Sequence, residues 1–324
     1  MTRALACVMA CLSASLGVLV GGPAAAQGTD TLRVTLLGTA SPAPRPMRFG
    51  PSTLIEAADQ KLLIDAGRGV PIRLRQLNVP IGKIDALFLT HFHSDHTSGV
   101  PDVWLTGWLA PAFGARKGAF HVIGPTGAKQ LMDGLQQAYA TDIRIREEDE
   151  KLSADDIAVK VDEFSADGVV YEKSGLRVTA FEVNHGDAIK PAYGYRIDYH
   201  GKSALISGDT RFTENVIKYG SGVDVLIHEV GVAKPEIMQL APLQRIMAHH
   251  TSPQDAGTVF DRAKPKLAVY THIVRLGNAS TPEPSNREIV DATRQTYKGP
   301  LILGEDLMTF EISDTGVAVY RGDE

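Results

Sequence analysis

A dense cluster of metal-ligating side chains follows the apolar run Ala86–Leu89. Three histidines and one aspartate, His91, His93, Asp95 and His96, stand within six consecutive residues. The cluster is not typical of a core, because each buried imidazole or carboxylate would need its own polar partner. A turn at the end of a strand can aim the first pair to one side and the second pair to another. The pattern therefore predicts a site for two metal ions.

Three further candidate ligands stand farther along the chain, each directly after a short strand-like run: His185, Asp209 and His272. A single histidine is more often packed or exposed than functional, but together with the first cluster these residues complete two sites. The predicted ligands are His91, His93 and His185 for one metal, Asp95, His96 and His272 for the other, and Asp209 as the bridge between them. Imidazole and carboxylate donors without thiolate favour zinc, with manganese or iron as alternatives.

The elements that position these ligands are short. Eleven apolar, β-branched runs of strand length lie between Leu32 and Ile312, and six helical patterns, including Thr97–Trp108, lie among them. Strands mixed with helices in two similar halves predict an α/β fold in which two sheets are sandwiched between helical layers. The acidic stretch Glu147–Asp156 is typical of a solvated loop or a helix end, and the sequence assigns it no role.

The first 26 residues have the pattern of a secretory signal. Arg3 precedes the apolar run Ala4–Val20, and the small residues Ala24–Ala26 follow a Gly-Gly-Pro break. We expect residues 1–26 to be removed and residues 27–324 to form one hydrolase domain in the periplasm or outside the cell. An uncleaved anchor is the alternative, since the run is near the lower limit for spanning a bilayer. No later segment is long and apolar enough to span.

Cysteine content and charge exclude several classes of function. Both cysteines, Cys7 and Cys11, lie inside the predicted signal, so the mature chain would have no disulfide and no thiol nucleophile. The formal net charge is −5. A negative chain repels nucleic acid in bulk, although a local basic patch could still bind it.

The motif His-x-His-x-Asp-His with later His, Asp and His ligands resembles the metallo-β-lactamase superfamily, and the ribonuclease Z branch most of all. The stretches that carry the closer likeness are Leu37–Pro42, Leu63–Gly67, Ala192–Ile197, Asp224–Glu229 and His250–Ala256. The resemblance implies a four-layer αββα sandwich that hydrolyses a phosphodiester or a related ester. It also suggests that Asp65 orients a ligand histidine.

The resemblance assigns a proton donor as well. His250 stands at the family's donor position, and Glu229 would orient it and raise its pKa. Asp95 is assigned to the catalytic residues together with this pair, whereas His249 is expected to be exposed or to support a ligand. The alternative for Glu229 and His250 is an ordinary surface pair.

Three departures from the ribonuclease Z pattern bear on the substrate. No basic, glycine-rich arm for transfer RNA is visible, and the long segment 141–174 is acidic. The family's His-Phe-Ser block is replaced by His272-Ile273-Val274, and an exported protein would meet no precursor transfer RNA. The branch's exported relatives resemble arylsulfatases and small phosphodiesterases, so the predicted partner is a small-molecule ester and not a nucleic acid. The sequence leaves the oligomeric state open; a homodimer is one alternative, because dimers are common in the family.

The predicted function is that of an exported dinuclear zinc hydrolase. It would cleave a small anionic ester, an aryl sulfate or a phosphodiester, by attack of metal-bound hydroxide with His250 as the proton donor. The alternatives on the same fold are hydrolysis of a β-lactam, a lactone or a thioester. Processing of transfer RNA at its 3′ end, or metal binding without catalysis, are the remaining hypotheses.

Overall fold

The computed structural model describes residues 30–322, so the predicted signal peptide lies outside the described residues. The strands are β1 Leu32–Gly38, β2 Ser52–Ala57, β3 Gln60–Ile64, β4 Ala86–Phe88, β5 Phe120–Pro125, β6 Val159–Phe164, β7 Gly168–Lys173, β8 Leu176–Glu182, β9 Tyr193–Tyr199, β10 Lys202–Ile206, β11 Val225–Ala233, β12 Leu267–Leu276, β13 Leu301–Leu303, β14 Thr309–Ser313 and β15 Gly316–Tyr320. The α-helices are α1 Val70–Gln76, α2 Ser94–Thr97, α3 Val100–Trp108, α4 Ala128–Ala138, α5 Ala140–Asp149, α6 Ala154–Ile157, α7 Glu214–Gly220, α8 Ala241–Met247, α9 Pro253–Ala263 and α10 Asn286–Thr293. Within residues 30–322 no helix has the length and apolar character needed to cross a bilayer.

The strands form two mixed sheets. The first has eight strands in the order β15-β14-β1-β2-β3-β4-β5-β6, and the second has seven in the order β13-β12-β11-β10-β9-β8-β7. Strands β3 to β6 run parallel in the first sheet, and strands β10 to β13 run parallel in the second. Because the carboxyl ends of parallel strands meet at one edge, the loops that follow them are gathered there.

Side-chain alternation explains why two sheets pack face to face. In β4, Phe88 points into the core between the sheets, and Leu87 points into the layer under the helices. In β12, Val269 points into the core between the sheets, and Tyr270 points into the layer under the helices. Helices α1, α3, α4 and α6 cover the first sheet, and α7, α9 and α10 cover the second. A strand buried on both faces reads as a continuous apolar run. The predicted αββα sandwich is confirmed.

The prediction of one continuous helix over Thr97–Trp108 is wrong. Helix α2 ends at Thr97, and α3 begins at Val100. At Gly99 between them, an added Cβ would lie 2.2 Å from the carbonyl oxygen of Gly67, so the chain passes too close to the β3 loop for a larger residue. The break leaves α2 as a separate turn that carries two candidate ligands.

The acidic segment 141–174 is not an insertion that projects from the fold. It contains most of α5, then α6, β6 and β7, and the two strands form edges of the two sheets. The indole N–H groups of Trp104 and Trp108 donate to the carbonyl oxygens of Ile157 and Ser153, both at 2.9 Å, and fix this segment to α3. Glu147–Asp156 spans the end of α5 and the start of α6, as expected of a helix end.

Candidate metal centre

The first group of candidate ligands is held at the end of β4 by a buried carboxylate. Asp65, in a left-handed conformation directly after β3, accepts hydrogen bonds from the backbone N–H and the hydroxyl of Thr90 at 2.8 and 2.7 Å. It also accepts one from His96 Nδ1 at 2.7 Å. Because Nδ1 must carry the proton of that bond, Nε2 of His96 is left as the free acceptor. Asp65 therefore orients His96, as the resemblance suggested.

The second sheet contributes the other group. His185 follows β8, Asp209 follows β10, and His272 lies inside β12. The pairing of β11 with β12 shifts between Glu229 and Val230, and His272 is the extra residue there, with φ 40°. A bulge of this kind re-aims one side chain at the edge of a ladder. It turns the His272 imidazole toward the carboxylate of Asp95, with Nε2 3.2 Å from Oδ2.

All seven predicted ligands lie together at the seam between the sheets. They form overlapping groups with potential ligand atoms within 4.8 Å of one another: His91, His93, His185 and Asp209; Asp95, His96 and His272; and Asp209, His250 and His272. Asp209 lies between the first two groups, because Oδ2 is 3.6 Å from His185 Nε2 and Oδ1 is 3.4 Å from His96 Nε2. This is the position that a bridging carboxylate would need.

Unpartnered atoms test whether these residues suit a cation. Within residues 30–322, His91 Nε2, His96 Nε2 and Asp209 Oδ1 are buried and make no hydrogen bond. Each such atom costs about 1–3 kcal/mol if nothing satisfies it. Buried donor atoms of the imidazole and carboxylate types that converge in this way fit a divalent metal ion.

The electrostatics of most candidate ligands favour the protonation states that bind metals. His96 is the exception: burial opposes its protonation, but Asp209 and Asp65 raise its pKa well above the usual value, so an ion would have to displace a proton from that ring. Burial, and then His96, holds the pKa of His91 well below its usual value, and burial lowers the pKa of His185 to about 4. Burial opposes the ionisation of Asp209, but His272 and His96 hold its pKa well below the usual range. Neutral imidazoles beside an ionised carboxylate are the ligand forms that a divalent ion requires.

A dyad of Glu229 and His250 lies beside these groups. His250 Nδ1 is 3.1 Å from Oε2 of Glu229, whose other oxygen accepts from the backbone N–H of Thr251 at 2.8 Å. Both side chains are buried, so the alternative of a surface pair is wrong. Burial opposes protonation of His250, but Glu229, followed by Asp209 and Asp95, raises its pKa to about 9. The ring can hold a proton at neutral pH.

The exposed edge of the centre is at His93. His185 Nδ1 donates to the carbonyl oxygen of His249 at 3.0 Å, so the backbone of His249 supports the candidate ligand His185. The ring of His249 lies over Gly186. A Cβ on Gly186 would lie 3.2 Å from that ring and 3.7 Å from Arg211 Nη2. Sequence reasoning missed Arg211 at this edge, although its position two residues after Asp209 was a usable signal.

Comparison with known proteins identifies the family. The family described as the beta-lactamase superfamily domain matches residues 60–273. A ribonuclease Z of Mycobacterium marinum is 33% identical over 284 residues, which cover 87% of this chain and 99% of the relative. The chain belongs to the metallo-β-lactamase superfamily, in its ribonuclease Z branch.

Solved structures of metallo-β-lactamase proteins show the same fold at low sequence identity. A metallo-β-lactamase fold protein of Bacillus subtilis has a TM-score of 0.67 at 20% identity, with 87% of this chain and 100% of that chain covered. The short form of human tRNase Z has a TM-score of 0.63 at 21% identity, with 86% and 98% covered. Membership in this superfamily makes the chain a hydrolase by class, with candidate sites for metal ions.

Asp65 provides a test of the metal centre. Because Asp65 orients His96 and anchors Thr90, we expect Asp65→Asn to weaken metal binding about 10–100-fold. Competition with a chromogenic chelator measures the affinity. Asp224→Asn is the matched control: Asp224 is equally buried and also binds a backbone N–H, that of Ser203, but at the start of β11. Equal affinities in the two variants would contradict the orienting role of Asp65.

Proposed function

We propose that this protein hydrolyses phosphodiester bonds with the help of two zinc ions. The observation that carries the proposal is the buried pair Glu229–His250, whose imidazole shares a 4.8 Å group with the candidate ligands Asp209 and His272. A protein that only binds metal would need no proton donor at this position. A hydrolase needs one, because the leaving oxygen departs more easily when it is protonated.

Under this proposal the candidate ligands divide between two ions. One ion would be held by His91, His93 and His185, and the other by Asp95, His96 and His272. Asp209 would be a ligand of both ions. When bound, two such ions supply Lewis acidity, which makes water nucleophilic at neutral pH and offsets negative charge at the reacting centre. A donor set of imidazoles and carboxylates is the support for zinc, with manganese and iron as alternatives.

The chain's own residues perform the proton transfer. His250 would donate a proton from Nε2 to the leaving oxygen, since its Nδ1 is held by Glu229. Glu229 is fixed in turn by the N–H of Thr251 and keeps the ring in one orientation. His93 and Arg211 stand at the open edge, where an anionic substrate would enter. Burial lowers the pKa of His93, so Arg211 is the cationic group at this edge; its guanidinium also pairs with Asp187 at 3.1 Å. A cation here favours an ester that carries negative charge.

The substrate class rests on two kinds of support. Relatives that are named ribonuclease Z and match nearly the whole chain favour a phosphodiester over an aryl sulfate. The predicted export and the negative net charge favour a small substrate over RNA. Cleavage of RNA is the second candidate function, and the similarity to the ribonuclease Z of M. marinum is the observation that favours it.

A substrate panel tests the proposal. The panel contains bis-4-nitrophenyl phosphate, 4-nitrophenyl sulfate, a thioester, a lactone, nitrocefin and a precursor transfer RNA. We expect the phosphodiester to be the best small substrate, and we expect EDTA to abolish and zinc to restore its hydrolysis. A higher kcat/KM on the sulfate, the lactone, the thioester or nitrocefin would overturn the proposal. Specific cleavage of the transfer RNA without hydrolysis of the small diester would establish the second candidate.

The proposed location has its own test. If residues 1–26 are a cleaved signal, protein recovered from the cell envelope should begin at or near Gln27. Intact-mass spectrometry of that material measures the mature start. Recovery of the whole 324-residue chain from the cytoplasm would contradict export and strengthen the case for an RNA substrate.

A further inference from the structure

A cavity lined by three arginines begins one residue along β12 from the candidate ligand His272. Its volume is about 260 Å³, and its charged lining consists of Arg45, Arg48, Arg275 and Glu283. The first two arginines belong to the loop between β1 and β2, and Arg275 lies near the end of β12. Residues far apart in the chain thus bring three guanidinium groups to one place.

The cavity adjoins the candidate ligands through the backbone. Its lining includes Ile273, the residue directly after His272. The N–H of Ile273 donates to the carbonyl oxygen of Thr39 at 3.2 Å, and Ala40, the next residue, also lines the cavity. Since consecutive Cα atoms are about 3.8 Å apart, the cavity wall begins one residue from a predicted metal ligand.

The positive charge in the cavity exceeds the negative charge. Glu283 is the one carboxylate in the lining, and it pairs with Arg45 at 2.6 Å. Arg275 donates to the carbonyl oxygen of Pro284 at 3.2 Å and to the side-chain oxygen of Asn286. Both of those partners are neutral, so the charge of Arg275 is not offset by them.

Arg48 is held by oxygen atoms of neighbouring residues. Its Nη1 donates to the hydroxyl of Thr39 at 2.6 Å and to the carbonyl oxygen of Gly304 at 2.8 Å, and Glu305 is 4.0 Å from Nη2. Burial, and then the positive charge of Arg48, lowers the pKa of Arg275; Arg45 adds to this effect and Glu283 opposes it. Each guanidinium has five N–H donors, so donors remain for an anion.

We propose that this cavity binds a second phosphate group of the substrate, one that is covalently linked to the phosphodiester being cleaved. Arginine forms two parallel hydrogen bonds to a phosphate, and several arginines around one cavity offset its double charge. The substrate class is then a small nucleotide with at least two phosphates. The inference rests on the proposed function, since it assigns a further contact to the same substrate.

Two chromogenic nucleotides that differ by one phosphate test the inference. They are thymidine 5′-(4-nitrophenyl phosphate) and the same compound with a phosphate on its 3′ oxygen. Both contain the same reacting diester and the same leaving group, so a difference in kcat/KM reports on the extra phosphate. We expect the wild-type protein to prefer the second compound about tenfold or more, as charge-assisted hydrogen bonds to a phosphate would give. Arg45→Gln and Arg275→Gln should each reduce that preference toward one.

Arg287→Gln is the matched control, because Arg287 lies on α10 beside the cavity but is 89% exposed and pairs with Asp291 outside it. It changes the net charge equally and should keep the preference. Arg45→Gln removes only a contact to a surface glutamate, so it tests the cavity even if Arg275→Gln impairs folding. Equal kcat/KM of the wild-type protein on the two nucleotides would overturn the inference but not the proposed function. An unchanged preference in the Arg45→Gln variant would do the same. Failure to hydrolyse either nucleotide would overturn the proposed function and the inference with it.

Discussion

Replacing Asp209 with alanine should lower kcat/KM by about 10³-fold or more and should loosen both metal ions. Asp209 Oδ2 is 3.3 Å from His272 Nε2 and 3.9 Å from His91 Nε2, so its charge acts on both groups of candidate ligands. Lewis-acid stabilisation of a reacting centre contributes several kcal/mol, and each 1.36 kcal/mol corresponds to a factor of about ten. Elemental analysis and steady-state kinetics on the same preparation measure the two effects.

The control for Asp209→Ala is Asp224→Ala, which also removes a buried carboxylate from the second sheet. Asp224 binds Ser203 and Lys266 at the opposite end of the parallel strands, so its loss affects stability but not metal content. We expect about two ions per chain in the wild type and in the control. If Asp209→Ala retains two ions after gentle purification, Asp209 is not a bridging ligand.

Replacing His250 with alanine should leave both ions bound and slow hydrolysis according to the leaving group. General-acid catalysis typically contributes about 10²–10⁴-fold. A diester with an alkoxide leaving group should lose a factor in that range, because the departing oxygen needs the proton that His250 holds. A 4-nitrophenoxide leaves almost unaided, so its diester should be affected far less. The dependence of rate on leaving-group pKa should therefore be steeper in the variant.

His249→Ala is the neighbouring control for this experiment. The backbone of His249, and not its ring, holds His185, so the variant should keep the wild-type dependence on the leaving group even if its rates differ. Should His250→Ala slow activated and unactivated diesters by the same factor, His250 would have a structural role only. The assignment of Glu229 as the residue that orients it would then be wrong as well.

Local patterns in the sequence were enough to predict the fold and the residues that gather at the seam. His91 to His96 are contiguous, and His185 and Asp209 each follow an apolar run that becomes a strand. The run before His272 becomes the first part of β12, which continues past that residue. A strand buried on both faces is a nearly continuous apolar run, so its position could be predicted from composition. The roles of these residues as zinc ligands stay predictions.

Features that depend on contacts across the chain could not be predicted. The bulge that turns His272 arises from the pairing of β11 with β12, and the arginine cavity joins Arg45 to Arg275. Strand β6 was missed because it is an edge strand whose charged residues alternate with half-buried apolar ones. Such a strand has few apolar residues, and the charges that protect the edge also obscure the pattern.

The division of the candidate ligands between the two sheets links metal supply to folding. The first sheet contributes His91, His93, Asp95 and His96, and the second sheet contributes the remaining three candidate ligands. Bound ions would therefore contact both sheets and stabilise the native state in which the two sheets are packed together. A ligand that binds only the native state stabilises it by about 2.7 kcal/mol at a free concentration of 100 times its Kd. When the metal is scarce, the loops that carry the candidate ligands should therefore exchange their amide hydrogens first, while the strands of the two sheets stay protected.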